Sequence, residues 1–255
     1  NTCVILDNGS AMCWGREVFG FGTGLQGYDS GNPGLVGSNR VTPGEIVMPN
    51  GSKFVEIVVG QWHGCGILEN SSLYCWGGNE YGQRGGAVGD GQCIWEENGD
   101  YNAWQSDPDC GPYPMHVDLG DRVPISLALG EAHTCVLMED GGVQCWGGQP
   151  MNPYGVLGNG MGGYGSSGGE QSEVPVNASL GNHSVTHIAG HGMSRGTCVL
   201  LQNNSTYCWG RVSWTAHIEG SDAANWGEYY ASNVPIHVPV VFGSTEEADC
   251  LPGTW

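Results

Sequence analysis

The chain has 255 residues, among them 46 glycines, 11 cysteines and 10 tryptophans, and its 26 acidic against 7 Lys and Arg side chains give a formal charge of −19. So few scattered cations make no patch that would displace counterions from a polyphosphate, which argues against nucleic acid as a partner and against anionic membrane surfaces. The glycines follow no Gly-X-Y period, the Trp, Val, Ile, Leu and Cys residues recur in ordered clusters, and no apolar run reaches transmembrane length; collagen, simple disorder and a membrane span in this segment are thereby set aside.

The first element is CVILDNGSAMCWG, Cys3 to Gly15. Pairing about Asn8 sets Cys3 opposite Cys13 and Leu6 opposite Ser10. Asp7-Asn8-Gly9 is left as a three-residue loop, with glycine at its last, left-handed position. Directly opposed residues of an antiparallel pair have Cα atoms ~4.5–5.5 Å apart, within reach of a disulfide. The pattern returns as CGILENSSLYCWG from Cys65, CVLMEDGGVQCWG from Cys135 and CVLLQNNSTYCWG from Cys198. Four cross-strand disulfides are predicted: Cys3–Cys13, Cys65–Cys75, Cys135–Cys145 and Cys198–Cys208. At the left-handed loop position Gly141 suits the third copy and Asn204 is tolerated in the fourth, whereas Ser71 is a poorer choice in the second. A zinc site is the competing reading, because His63 and His133 each stand two residues before a cysteine. The ten-residue spacing is not that of a zinc knuckle, however, and Gly196 replaces the histidine in the fourth copy.

The intervals repeat as well. Each carries a glycine-rich loop (GFGTGLQG, NEYGQRGG, NPYGVLGNG), then a first strand (TPGEIVMP, YPMHVDL, VPVNASL, VPIHVPVV). A second apolar strand ending in glycine follows (FVEIVVG, PISLALG, VTHIAG). A full period thus offers about four short strands and no capped helix. The first copy has no lead-in strand, so the domain is expected to continue upstream. The acidic insertion CIWEENGDYNAWQSDPDC places Cys93 and Cys110 as a pair that staples it. Cys250 is then odd, and expects a partner outside this segment.

GQWHGCGILENSSLYCWGGNEYGQRGG from Gly60 and GEAHTCVLMEDGGVQCWGG from Gly130 resemble the regulator of chromosome condensation 1 repeat. Their cysteine pair resembles the extracellular branch of that superfamily, which includes the β-lactamase-inhibitor-protein-II type. The resemblance covers nearly the whole chain. It implies an all-β fold, a β-propeller of four-stranded antiparallel blades, typically seven in number. The four repeats, starting near residues 3, 65, 135 and 198 within 1–243, would be part of a larger ring. CLPGTW resembles the start of an ephrin-receptor-like Cys-rich repeat, so 244–255 is read as a linker and the start of such a module, with Cys250's partner downstream. The nuclear GTPase activation known for the family is not carried over, because a thiol-reducing compartment would not keep these pairs.

Asn-x-Ser/Thr sequons occur at Asn8, Asn50, Asn70, Asn177, Asn182, Asn203 and Asn204. Asn8, Asn70 and Asn203 occupy the same hairpin tip in three copies; Asp140 stands there in the remaining one. N-linked glycans are expected along one edge of the blades. Gly192-Met193-Ser194-Arg195-Gly196 matches a hydrolase elbow and Gly22-Thr23-Gly24-Leu25-Gln26-Gly27 a dinucleotide loop, but neither opens a helix as those chemistries require. The recurrent Trp14, Trp76, Trp146 and Trp209 are read as packing between blades. Trp95, Tyr101, Trp104, Trp214, Trp226, Tyr229 and Tyr230 lie in insertions and are the candidate binding residues, suited to protein or glycan contacts. The clusters Glu96-Glu97, Asp107 with Asp109, and Glu246-Glu247 with Asp249 are read as solvated surface, with Ca²⁺ the alternative; no other cofactor and no catalytic set is expected. The expectation is a non-enzymatic, glycosylated extracellular or cell-surface module for protein partners or self-assembly, with a lectin-like or inhibitor-like binding module as the alternative.

Overall fold

A computed structural model describes residues 2–16, 39–46, 48, 51–79, 81–85, 114–148, 155–161, 172–190, 195–211 and 231–238. These residues form fifteen strands. The first sheet holds β1 (Thr2–Ile5), β2 (Ala11–Arg16) and β3 (Asn39–Glu45). The second holds β4 (Phe54–Val59), β5 (His63–Leu68), β6 (Leu73–Gly77) and β7 (Met115–Val117). The third holds β8 (Pro124–Leu129), β9 (His133–Met138), β10 (Val143–Gly147) and β11 (Ser172–Asn177). The fourth holds β12 (Val185–Gly190), β13 (Gly196–Leu201), β14 (Thr206–Arg211) and β15 (Ala231–Val238).

All pairings are antiparallel between chain neighbours, the meander expected of propeller blades. Strand β4 lies against β8, and β8 against β12, so the lead-in strands converge as the inner strands of successive blades. Each inner strand carries a bulge at its second residue, Val55, Ile125 or Thr186, which adds local twist.

The hairpin register is the predicted one: Cys3 pairs with Cys13, Cys65 with Cys75, Cys135 with Cys145 and Cys198 with Cys208. All four disulfides form, each with a Cα–Cα distance of 4.1 Å. This is shorter than the expected span because the cysteines fall on non-hydrogen-bonded pairs, where strands come closest. Leu6 N–H donates to Ser10 O and Gly9 N–H to Leu6 O, which makes Leu6–Ser10 the bonded pair and leaves Cys3–Cys13 three steps away on the alternate set.

The last residue of every tip loop has positive φ: 80° at Gly9, 64° at Ser71, 80° at Gly141 and 63° at Asn204. Ser71 is therefore held where a Cβ is costly. Ser71→Gly is expected to raise stability by about 0.5–1 kcal/mol, and Asn204→Gly by less, because Asn tolerates this region. Urea midpoints of the two variants check this; equal gains would refute it.

The core lies between sheets. Ala11, Cys13, Ile46 and Met48 of the first blade meet Phe54, Leu68 and Trp76 of the second. Ile67, Leu73 and Val117 of the second meet Leu129, Val136 and Trp146 of the third. Leu137, Val143 and Leu157 of the third meet Val199, Leu201 and Trp209 of the fourth. Trp76, Trp146 and Trp209 thus each pack on the preceding blade, as expected; Trp14 is half-buried in the first sheet. The first sheet has no inner strand among the described residues. Its Val4, Ile5 and Leu6 are accordingly 39%, 37% and 41% exposed, whereas Val136, Leu137 and Met138 at the same places are 0%, 1% and 0%.

Candidate functional site

An antiparallel four-stranded blade sorts its connections by end. The turns between first and second strands and the connections between third and fourth strands meet at one end. The hairpin tips between second and third strands and the crossings to the next blade meet at the other. The end with the tips carries the described sequons. Asn8 Oδ1 accepts from Ser10 N–H at 3.0 Å, Asn70 Oδ1 from Ser72 N–H at 3.1 Å, Asp140 Oδ1 from Gly142 N–H at 2.9 Å and Asn203 Oδ1 from Ser205 N–H at 3.0 Å. The same Asx turn closes all four tips, which explains an Asn or Asp there whatever else the position does.

Asn8, Asn70, Asn177, Asn182, Asn203 and Asn204 are all exposed; Asn50 lies outside the described residues. In the third blade Arg122 makes a two-pronged bond to Asp140, Nη2 to Oδ1 at 2.6 Å and Nε to Oδ2 at 3.1 Å, and Nη1 donates to Asn177 Oδ1 at 3.0 Å. The guanidinium, then the Gly142 N–H, holds the Asp140 carboxyl below its usual range. A cleft of about 440 Å³ opens beside this group, lined by Arg122, Gln144, Asn177, Leu180 and His183 among others.

The opposite end begins at a repeated seam. Thr134 Oγ1 donates to Gln83 O at 2.8 Å, so His63 Nε2 must donate to Thr134, 2.7 Å away. Trp146 Nε1 donates to the same Gln83 carbonyl at 2.9 Å. One blade later, His133 Nε2 and Thr197 Oγ1 lie 3.0 Å apart, and Trp209 Nε1 donates to Val156 O at 3.0 Å. Gln83 and Val156 occupy the glycine loops. Gly85 and Gly158, at φ 79° and 62°, stand against the Trp146 and Trp209 rings, where an added Cβ would fall 3.1 Å and 2.8 Å from the indole nitrogens. The two histidines are therefore seam residues and not the ligand pair that their spacing to cysteine suggested.

Burial lowers the His63 pKa to about 3, helped by the nearby His133 and Arg84, and lowers that of His133 to about 4, opposed by Glu131. His63 Nδ1 has no hydrogen-bond partner among the described residues, so a proton there would be buried uncompensated. Arg195 joins the fourth blade to Glu131 of the third, with Nη2 to Oε1 at 3.0 Å and Nε to Oε2. Between inner strands, Glu56 Oε1 accepts from Ser126 Oγ at 3.0 Å and Leu127 N–H at 3.3 Å; burial nonetheless raises its pKa.

The local pattern does not single out Thr134 and Thr197, although a Thr directly before the first cysteine in three of the four copies, Thr2, Thr134 and Thr197, is their visible signal. Nor does it single out Arg122. Gly196 of the elbow-like motif opens strand β13, as the rejection of a nucleophile elbow requires. Cys93, Cys110, Cys250, Trp95, Tyr101, Trp104, Trp214, Trp226, Tyr229 and Tyr230 lie outside the described residues.

The sequence family described as "Regulator of chromosome condensation (RCC1) repeat" matches residues 54–83 and 125–155. These segments are RCC1 repeats. Both matched segments run from an inner strand, through a disulfide hairpin, toward the glycine loop that caps the next tryptophan. The chain is similar in fold to the structure of Kap60 bound to yeast RCC1 (Prp20), with 19% identity and a TM-score of 0.62 over 92% of this chain and 47% of that one. It is similar likewise to human WBSCR16, with 15% identity and a TM-score of 0.65 over 92% of this chain and 50% of that one. The chain therefore spans about half the length of either structure. The RCC1-type blade accounts for the all-β architecture.

Proposed function

We propose that this segment is a non-enzymatic, glycosylated extracellular RCC1-type propeller module with a structural or protein-interaction role at a cell surface, in a matrix or in a filament. The observation that carries the reading is the repeated cross-strand disulfide, four of four hairpins, with Cys13, Cys65, Cys75, Cys135 and Cys145 fully buried. Such pairs persist in oxidising compartments. The fold neighbour with Kap60 bound supports a protein partner. The seam histidines and the Glu131–Arg195 pair are spent on holding blades together, which fits a scaffold. Counting thiols on the protein isolated from its source, with and without reductant, tests the compartment. All eight described cysteines are expected to be blocked, and free thiols at these pairs would sink the reading. Sedimentation of the chain with its natural flanks tests assembly; a monomer at high concentration would count against the filament form.

A lectin-like or inhibitor-like module is the second reading. It is favoured by the described strand ends: the third strands β6 and β14 finish, and the fourth strands β7 and β15 begin, at the end away from the hairpin tips, and the candidate aromatic residues lie between those strands in the sequence. Glycan-array binding that disappears in Trp95→Ala or Trp104→Ala would favour this reading over a purely structural one.

A further inference from the structure

We infer that Asn8, Asn70 and Asn203 are the N-glycan acceptors of the hairpin tips and that Asn177 and Asn204 carry none, so that the ring is glycosylated at its tip end by a geometry repeated from blade to blade. This rests on the extracellular reading above. The chemistry joins Asn Nδ2 to the anomeric carbon of a glycosyl diphosphate donor. The diphosphate leaves and the amide gives up one proton, while Oδ1 remains a carbonyl acceptor. A tip asparagine can therefore be modified without losing its turn. Its Oδ1 is committed to the N–H two residues on, and its Nδ2 is left to solvent on an exposed loop.

A second observation separates the modification from the turn. The turn uses only the main-chain N–H of the residue two positions on, and the third blade closes it with Asp140 and Gly142. Nothing in the turn requires the hydroxyl residue. Yet Ser10, Ser72 and Ser205 stand there in each blade whose tip is Asn, and the Ser is absent from the one blade whose tip is Asp. The bonds that close the turns run within each loop, from Leu6 N–H to Ser10 O, Leu68 N–H to Ser72 O and Leu201 N–H to Ser205 O. The bonds from the tips to neighbouring segments, Phe54 N–H to Gly9 O, Glu69 N–H to Lys53 O and Gln202 N–H to Ser184 O, are main-chain bonds that do not use the asparagine side chain.

Asn177 and Asn204, two of the four remaining sequons, have different occupations. Asn177 Oδ1 accepts from Arg122, and the N–H two residues on, that of Ser179, donates to Gly158 O at 2.7 Å, which forbids the turn. Asn204 holds the left-handed loop position at φ 63°, a conformational reason for Asn. Its residue two positions on, Thr206, is inside β14, paired with Leu200 and Val238.

The test is secretion of the whole chain from a eukaryotic host, enzymatic deglycosylation in heavy-oxygen water, and peptide mass spectrometry of the tagged residues. Tags are expected at Asn8, Asn70 and Asn203, with Asn177 and Asn204 untagged. Asp140→Asn combined with Gly142→Ser is expected to add one tagged site in the third blade. Tags at Asn177 or Asn204, untagged tips in secreted protein, or no gain in the double variant would overturn the inference. Thiol counting on the same sample separates the two ideas. Closed disulfides with wrongly placed tags sink this inference alone, and free thiols sink the extracellular reading.

Discussion

Trp146→Ala is expected to cost about 3–5 kcal/mol of unfolding free energy, and Trp146→Phe about 1–2 kcal/mol. The indole is 0% exposed and fills the seam between the second and third blades, against Cys65, Leu73 and Val117. Truncation leaves a cavity that Gly85 cannot fill, because its backbone already lies on the ring. It also removes one of the two donors to the Gln83 carbonyl and leaves Thr134 alone there. Phenylalanine keeps much of the buried area and loses the N–H and part of the ring, a smaller loss than truncation to alanine, which is why the two variants should separate. Urea titrations followed by far-UV circular dichroism measure both. Equal losses would show that the hydrogen bond, and not the packing, holds the seam.

Stability is expected to fall as the pH drops from about 6.5 to about 4, by roughly 1.4 kcal/mol per pH unit for each seam histidine. The folded pKa values of His63 and His133, about 3 and about 4, lie below the unfolded value near 6.5. Above 6.5 both states are neutral there and the full contribution is present. Between 6.5 and 4 the unfolded chain takes up protons that the folded chain refuses, so acid favours unfolding. Below about 4 His133 protonates in the fold too and the slope shrinks; His63 follows near 3. Arg84 and Glu131 are the charged groups that act on this pair, in opposite senses. Glu56, whose pKa burial raises, contributes with the opposite sign, and Asp140 with the same sign as the histidines. Urea midpoints at a series of pH values give the slope. His133→Gln, which keeps a donor toward Thr197, should lower the slope by about half between pH 6.5 and 4. A slope unchanged in that variant would disprove the assignment.

The hairpins were legible in the residues because their determinants are local. A three-residue loop with a left-handed closing position sets the register, and the register sets which cysteines oppose. That logic needs only residues ten apart, and it predicted all four disulfides, the tip position of Asn8, Asn70 and Asn203, and the strain at Ser71. Repetition then made the blade legible, since four copies of one pattern imply one supersecondary unit stacked on itself. The seam was not legible in the same way. His63 meets Thr134 across 71 positions, Thr134 meets Gln83 across 51, and Trp146 meets Gln83 across 63. Nothing in the local pattern distinguishes a histidine that binds metal from one that donates to the next blade's threonine. Likewise Asn177 reads as a sequon equal to the others until Arg122, 55 positions away, takes its oxygen. Local spacing and turn chemistry settle what each blade is. Which polar atoms are consumed, and which are left to face solvent, depends on how one blade is seated on the next, and burial between sheets decides that only once the chain has folded.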